Sequence, residues 1–195
     1  MKTMMNNTMK TATTLALAAA LLVTAACSDK KVKSESASES TTVAAPDVDI
    51  HTAVISGNLE AVKQHIAAGS NLNEKDPFGG SSPLISAAVF GKPEAAKLLI
   101  GAGADINFQN NDGSTALTSA AFFCRPAIVQ MLLDKGADKT IKNKYGATAY
   151  DGVAVPYADV KSSYEMMATM LAPMGLKLDY AYIEKTRPEV AEMLK

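Results

Sequence analysis

The sequence has 195 residues, 48% of them hydrophobic and 20% charged, which suits one ordinary soluble domain with short appendages. Its formal net charge of −1 argues against a nucleic-acid partner, because domains that bind nucleic acid usually present a basic face. It has only two histidines, so a histidine-based catalytic or metal site has little support.

Residues 1–26 have the pattern of a secretory signal peptide. Residues 1–10 carry Lys2 and Lys10 and no acidic residue. Residues 11–26 then form an uninterrupted run of Ala, Leu, Val and Thr that is too short to span a bilayer comfortably. The run ends in LVTAAC at residues 22–27, which resembles the lipobox of bacterial lipoproteins, although Thr24 stands where Leu is usual. The resemblance implies that Cys27 becomes the lipid-modified N-terminus; ordinary cleavage would instead leave Cys27 as a plain thiol.

Residues 27–46 are predicted to be a lipidated, disordered linker. They are rich in Ser, Thr, Glu, Lys and Ala, and they lack the large apolar side chains that a folded core requires. We therefore expect a domain tethered to a bacterial cell-envelope membrane by its lipid and facing the periplasm. Ser28 after the cysteine slightly favours the outer membrane over the inner one, because an Asp there would favour inner-membrane retention in enteric-type sorting.

The rest of the chain is dominated by an internal repeat. Residues 80–107 read GSSPLISAAVFGKPEAAKLLIGAGADIN, and similar segments begin at Gly113 and Gly146, giving a period of 33 residues. The copies that begin at Gly80 and Gly113 each have a capping Ser or Thr, a run of small apolar residues, a breaker, an amphipathic run and a Gly-Ala-Asp turn, and the copy at Gly146 is looser. This order predicts two helices per copy, because Pro93 and Pro126 can start a helix and Gly103 and Gly136 can end one.

These features resemble the ankyrin repeat, whose signature the second copy matches at Gly80, Ser82, Pro83, Leu84, Ala87, Ala88, Gly91, Glu94, Lys97, Leu98, Leu99, Gly103, Ala104, Asp105 and Asn107. The resemblance implies an all-α ankyrin-repeat solenoid of about four helix-turn-helix repeats with short finger loops, plus a C-terminal capping helix. The predicted boundaries are 47–76, 77–109, 110–142 and 143–179 for the repeats within 47–179, and 180–195 for the capping segment.

The sequence also predicts structural roles for the two histidines and helices near the C-terminus. His51 occupies the signature histidine position, which in this family ties adjacent repeats together by hydrogen bonds. His65 is expected to be a solvated residue of the N-terminal capping repeat. The capping helix is expected to begin near Pro188, after a longer helix over residues 158–171.

Two sets of residues are predicted to bind a partner protein. By the resemblance, the residues before the glycine that ends each first helix face the concave side, and here they are Val89, Phe90, Phe122 and Phe123. Alternatively, these rings fold down onto the neighbouring repeat. The finger loops add aromatic residues ringed by polar ones, which resemble the anchor-and-rim layout of protein interfaces; they are Phe78, Gln109, Asn111, Asp112, Lys142, Lys144 and Tyr145.

The predicted function is recognition of another protein through the concave face, without catalysis. No nucleophile elbow, phosphate loop or Cys-x-x-Cys pair occurs in the sequence. We expect no cofactor, metal or small-molecule substrate, and a monomer. The alternatives are an immunity protein that neutralises a periplasm-acting toxin, a thiol-dependent redox or enzymatic role through Cys124, and a structural spacer without a specific ligand.

Overall fold

The structure, a computed structural model, describes residues 44–195. This part of the chain contains nine α-helices: α1 Ile50–Ser56, α2 Leu59–Ala67, α3 Pro83–Phe90, α4 Pro93–Gly101, α5 Ala116–Phe122, α6 Pro126–Asp134, α7 Ala149–Ala154, α8 Tyr157–Leu171 and α9 Tyr180–Leu194. A short 3-10 helix, Ala172–Met174, follows α8. The predicted signal peptide, the lipid-attachment residue Cys27 and nearly all of the predicted linker lie outside the described residues.

Local capping explains where the inner helices begin. The hydroxyl of Ser82 accepts a hydrogen bond from the backbone N–H of Ile85 at 3.3 Å, and the Thr115 hydroxyl accepts one from Thr118 at 3.2 Å. Thr148 and Asp151 form a reciprocal capping box at the start of α7. The polar residue that opens each copy thus satisfies N–H groups that the helix cannot pair.

The helices pack in two adjacent rows. Helices α1, α3, α5 and α7 contact one another in that order, and α2, α4, α6 and α9 do the same beside them. The core lies between the rows, and its fully buried members include Leu84, Leu99, Leu117, Ile128 and Leu132. Small alanines such as Ala87, Ala88, Ala120 and Ala121 are also fully buried, so neighbouring helices can approach closely.

The last helix differs from the sequence expectation in its start. Helix α9 begins at Tyr180, where the Asp179 side chain caps it, and Pro188 lies inside the helix. The helix buries Ile183, Val190 and Leu194, which recur at helical spacing, and it contacts both α6 and α7. Helix α9 therefore takes the second-row place of the last repeat, next to α6, while α8 stands outside the two rows.

The expectation that His65 is solvated was wrong. The side chain is buried, with one ring nitrogen 2.8 Å from the carbonyl oxygen of Val48 and the other 3.0 Å from the hydroxyl of Ser70. Both ring nitrogens are satisfied, so the imidazole can occupy a place equivalent to that of the buried Leu99. The residue fastens the entering chain to α2.

His51 makes the inter-repeat contacts that its position implies. Its ring nitrogens lie 3.2 Å from the hydroxyl of Ser86 and 3.1 Å from the carbonyl oxygen of Glu74. These atoms belong to the next helix of the first row and to the loop before it. The histidine thus links the first two repeats.

Over residues 44–195, none of the helices combines the length and apolarity that crossing a membrane would need.

Candidate protein-binding surface

The finger loops between repeats are closed by a polar side chain at the same place in each. The Asn110 side-chain oxygen accepts hydrogen bonds from the N–H groups of Asp112 at 3.0 Å and Ser114 at 2.9 Å. Asn143 does the same for Tyr145 and Ala147, at 3.0 Å each. A side chain that replaces backbone partners in this way fixes a tight turn without needing a strand.

The first finger loop uses Asp76 in the same role. Its carboxylate accepts hydrogen bonds from the N–H groups of Phe78 and Gly79, both at 2.8 Å, and of Ser81 at 2.6 Å. Partial burial alone would raise the pKa of Asp76, but the backbone N–H groups outweigh it and hold the pKa below its ordinary value. The loop is therefore organised by an ionised carboxylate.

Adjacent finger loops are joined to one another by hydrogen bonds. The N–H of Asn111 donates to the carbonyl of Gly79 at 2.9 Å, and the N–H of Lys144 donates to the carbonyl of Asp112 at 2.8 Å. The Asn73 and Asn107 side chains accept from the N–H groups of Asp105 and Asp138, each at 2.9 Å. The three loops form one bonded edge, so their tips keep fixed relative positions.

The structure places all seven predicted loop residues on this edge with exposed side chains. Phe78 is 84% exposed and Tyr145 is 81% exposed, the largest values among the big hydrophobic side chains of residues 44–195. The polar members between and beside them are Gln109, Asn111, Asp112, Lys142 and Lys144, all exposed. We call the seven residues the finger edge.

The predicted residues of the inner helices are less accessible. Val89, Phe90 and Phe122 are half-buried, whereas Phe123 is only 5% exposed. Helix α5 ends at Phe122, so Phe123 follows the helix as its cap residue, whereas the matching Phe90 is still inside α3. For Phe123 the alternative interpretation applies, because the ring belongs to the core in this structure.

Phe122 lies beneath an aromatic residue of α8. Its ring stacks on the ring of Tyr164, with centroids 4.5 Å apart and planes inclined by 22°, and meets Phe123 edge-on at 5.1 Å. The Tyr164 hydroxyl donates to the carbonyl oxygen of Phe122 at 2.5 Å. The part of the inner-helix surface around Phe122 is therefore covered by the chain itself.

Sequence reasoning missed Arg187, which holds Tyr164 in place. The guanidinium is 3% exposed and donates to the Tyr164 hydroxyl at 2.7 Å. It also donates to the carbonyl oxygen of Val155, just after the end of α7, at 2.7 Å, and to that of Gly152, in the last turn of α7, at 3.3 Å. A usable signal exists in the sequence, since Arg187 falls in the stripe of Ile183, Val190 and Leu194.

Cys124 lies in the same buried region. The thiol is fully buried, and its sulfur lies 3.6 Å from the carbonyl oxygen of Ile183 in α9. Burial raises the pKa of Cys124 to about 11, although Arg187 and Arg125 oppose the shift. At neutral pH the residue is an inaccessible thiol, and the alternative of a thiol-dependent reaction therefore gains no support from its surroundings.

The His, Cys, Asp and Glu side chains of the described residues are dispersed. Residues 44–195 contain no group of three or more His, Cys, Asp or Glu side chains that could hold an ion. The recurring Asp105 and Asp138 are spread along the edge as loop residues. What this surface offers is aromatic and polar groups on a fixed frame.

Residues 50–143 match the family model for ankyrin repeats in three copies. Over 64 residues, the chain is 42% identical to protein phosphatase 1 regulatory subunit 27 from Homo sapiens, an alignment that covers 33% of this chain and 41% of that protein. It is 38% identical over 58 residues to the DNA-binding protein RFXANK from Homo sapiens, covering 30% of this chain and 22% of that one.

Among solved structures, the ankyrin repeat domain of Bcl-3, a member of the IkappaB protein family, is similar with a TM-score of 0.51 and 32% sequence identity. That match covers 53% of this chain and 45% of the other. The chain thus spans less than half the length of each of these similar proteins.

Proposed function

We propose, from the premise that residues 50–143 form an ankyrin-repeat domain, that the chain is a non-catalytic binding protein that recognises a partner protein. The finger edge is its main contact, and the half-buried Val89 and Phe90 on α3 extend it. A regulatory subunit and a DNA-binding protein stand among the similar proteins, and neither is named as an enzyme. For this chain, the net charge of −1 favours a protein over a nucleic acid as the partner.

The observation that carries the proposal is the exposure of Phe78 and Tyr145 on hydrogen-bonded loops. Both rings stand in solvent although the loops beneath them are fixed by side-chain and backbone bonds. Aromatic residues supply much of the binding energy of protein interfaces, and a surface that is already ordered loses little entropy on binding. Two aromatic anchors on one rigid edge fit a partner with two apolar pockets.

The polar residues of the finger edge define the rim of this contact. Lys142 and Lys144 are exposed near Tyr145, and Asp112 is exposed on the neighbouring loop. Exposed charges of this kind adjust the association rate and the choice of partner more than the affinity. We expect salt to slow association while the aromatic anchors determine how long the complex lasts.

A pair of variants tests the finger edge. In Phe78→Ala/Tyr145→Ala both anchors are lost, and in Tyr182→Ala a 44% exposed ring is removed from α9 instead. A fragment of residues 40–195, whose described residues 44–195 lie in one compact unit, serves as the bait for capture from an envelope extract, followed by titration against the purified captured protein. We expect the double variant to weaken binding by at least about tenfold, since anchor residues commonly contribute 2 kcal/mol or more, and Tyr182→Ala to bind as the unchanged domain does.

Circular dichroism provides the folding control for both variants. The two rings make little contact with the core, so we expect the spectra and melting curves to be unchanged. Equal binding by the double variant and the unchanged domain would show that the partner does not use the finger edge.

We also propose that the domain is carried on the periplasmic side of a bacterial envelope membrane by lipid on Cys27. The proposal is supported by the signal-peptide pattern, the lipobox-like LVTAAC segment and the polar linker. The first described core residue, Ile50, follows Cys27 by 23 residues, enough chain to hold a folded domain clear of a membrane surface. Cleavage before Cys27 would remove Lys2 and Lys10 and leave 17 basic and 20 acidic residues, a net charge of −3. This charge gives no electrostatic attraction to anionic lipid, so the anchor would depend on the acyl chains.

A further inference from the structure

Helix α8 is an excursion between two helices that pack directly on each other. Helices α7 and α9 contact one another, and α9 also contacts α5 and α6. The excursion runs from Pro156, after the end of α7, to Gly175, and it is flanked by the buried Val153 and Leu176. Of the residues between them, only Tyr164 is buried. Helix α8 therefore adds one buried side chain to the core of the last repeat, whereas α9 adds several.

This 15-residue helix has one buried side chain, Tyr164, and its partly buried Tyr157 and Val160 also pack against the core. Tyr164 stacks on Phe122 and lies 6.0 Å from the ring of Tyr157, which is in the first turn of α8. Its hydroxyl is shared, because it donates to the Phe122 carbonyl and accepts from Arg187. The methionines on the outer side, Met166 and Met170, are 58% and 59% exposed and add no attachment.

Removing Tyr164 from its place would leave few groups without partners. Arg187 keeps its hydrogen bonds to the Val155 and Gly152 carbonyls, which stay with α7. Water that enters the vacated space can accept the remaining guanidinium hydrogen and donate to the Phe122 carbonyl. The ends of the excursion are suited to turning, since Pro156 precedes α8 and Gly175 has a left-handed φ of 88°.

We propose that α8 is a lid that detaches as a unit while the repeat stack stays folded, and that its detachment uncovers the ring of Phe122. Local opening of this kind is expected where one element has few buried contacts and its neighbours have many. The opening itself is a property of this chain and can be measured without a partner.

Hydrogen exchange of residues 40–195, followed by mass spectrometry of peptides, tests the opening. We expect the backbone amides of α8 to exchange at least about tenfold faster than those of α5 and α9, because α8 has one buried side chain whereas α5 and α9 have five each. If the amides of α8, α5 and α9 exchange together at one rate, α8 is a constituent of the cooperative core and the lid is overturned.

Variants at Tyr164 test the attachment. Tyr164→Ala removes both the ring stack and the hydrogen bonds, Tyr164→Phe keeps the stack, and Met170→Ala on the same helix is the matched control. We expect exchange in α8 to accelerate strongly in Tyr164→Ala, less in Tyr164→Phe and not at all in Met170→Ala, with α3 to α6 protected as before. Loss of protection across α5, α7 and α9 in step with α8 would overturn the lid.

The uncovered surface can be detected with the dye anilinonaphthalenesulfonate, which brightens on apolar surface. We expect Tyr164→Ala to bind the dye more strongly than the unchanged domain does, and the added change Phe122→Ser to abolish most of the gain. A gain that survives Phe122→Ser would mean that the exposed surface lies elsewhere. Failure of the lid leaves binding through the finger edge untouched, and failure of the finger-edge variants leaves the exchange rates untouched, so the two proposals fail separately.

Discussion

Cys124 replaces a glycine of the repeat pattern at a position where the backbone is left-handed. It occupies the place of Gly57 and Gly91 and keeps their left-handed backbone, with a φ of 51°, the only positive φ of a non-glycine residue in the described part of the chain. A residue with a Cβ is strained there by about 1 kcal/mol. Burial of the sulfur against the Ile183 carbonyl, in a place that α9 covers, offsets that strain.

The raised pKa of Cys124 predicts a pH dependence of stability. Burial favours the neutral thiol in the folded chain and moves its pKa from 9.0 to about 11, so its stabilising effect is complete below pH 9 and is lost as the pH rises toward 11. Tyr164, whose pKa burial raises to about 12, adds to the loss only above pH 10. As the pH rises from 9 to 11, we expect the urea concentration at the unfolding midpoint of residues 40–195 to decrease. We expect the midpoint of the Cys124→Ala variant to decrease less.

The difference between the pH dependence of the unchanged domain and that of Cys124→Ala isolates the contribution of the thiol. Cys124→Ala keeps the strained backbone and removes only the ionisable group. Parallel loss of stability in both proteins would mean that Cys124 is accessible enough to ionise in the folded state.

At the scale of the elements, the finger loops depend on glycine where two loops meet. Gly113 has a φ of 75°, and a Cβ added there would lie 3.2 Å from backbone atoms of Asn143 and Lys144. Gly136 has a similar φ of 78° at the end of a second helix, with nothing within 4 Å of an added Cβ. The two glycines share the backbone requirement and differ only in crowding.

This difference predicts unequal costs for the same substitution. Gly136→Ala should lower the free energy of unfolding by about 1 kcal/mol, the usual cost of a left-handed alanine. Gly113→Ala should cost roughly 1 to 3 kcal/mol more, because the crowded neighbour is backbone and cannot rotate away. Urea unfolding of residues 40–195 measures both, and equal costs would contradict the close contact between the second and third loops.

The two longest helices of the described residues differ in how much apolar surface they bury, and this difference decides which of them joins the second row. Helices α8 and α9 have 15 residues each, and both follow α7. Helix α9 presents Ile183, Val190 and Leu194 on one side and is built into the second row, whereas α8 buries only Tyr164. The burial of three aliphatic side chains outweighs that of one tyrosine by several kcal/mol when about 25 cal/mol per Å² of apolar surface is applied.

At the scale of the whole molecule, the chain combines a described repeat unit with a predicted anchor. We expect metabolic labelling with palmitate to mark the chain in a bacterium with lipoprotein processing, and Cys27→Ala to lose the label and appear in the soluble fraction. Cys124→Ala is the matched control and should keep both the label and the membrane fraction, because its thiol is buried. Label that persists in Cys27→Ala, or a membrane-bound Cys27→Ala protein, would overturn the anchor.

The sequence by itself determined the ankyrin-repeat fold, which the match of residues 50–143 confirms. It also determined the starts of α4 and α6 at Pro93 and Pro126 and the exposed positions of Phe78 and Tyr145. These features depend on capping, glycine conformation and apolar spacing within one copy. Such effects act over a few residues and can be read directly along the chain.

Only the tertiary structure decided which of α8 and α9 completes the last repeat, that His65 and Phe123 are buried, and that Tyr164 covers Phe122. Each depends on a choice between distant partners, as when Arg187 joins the end of α7 to α8 across 23 residues or more. Sequence periodicity shows that a side chain will be buried but not against which neighbour, because competing packings differ by only a few kcal/mol. The finger edge could thus be predicted from the sequence, whereas the lid over Phe122 could not.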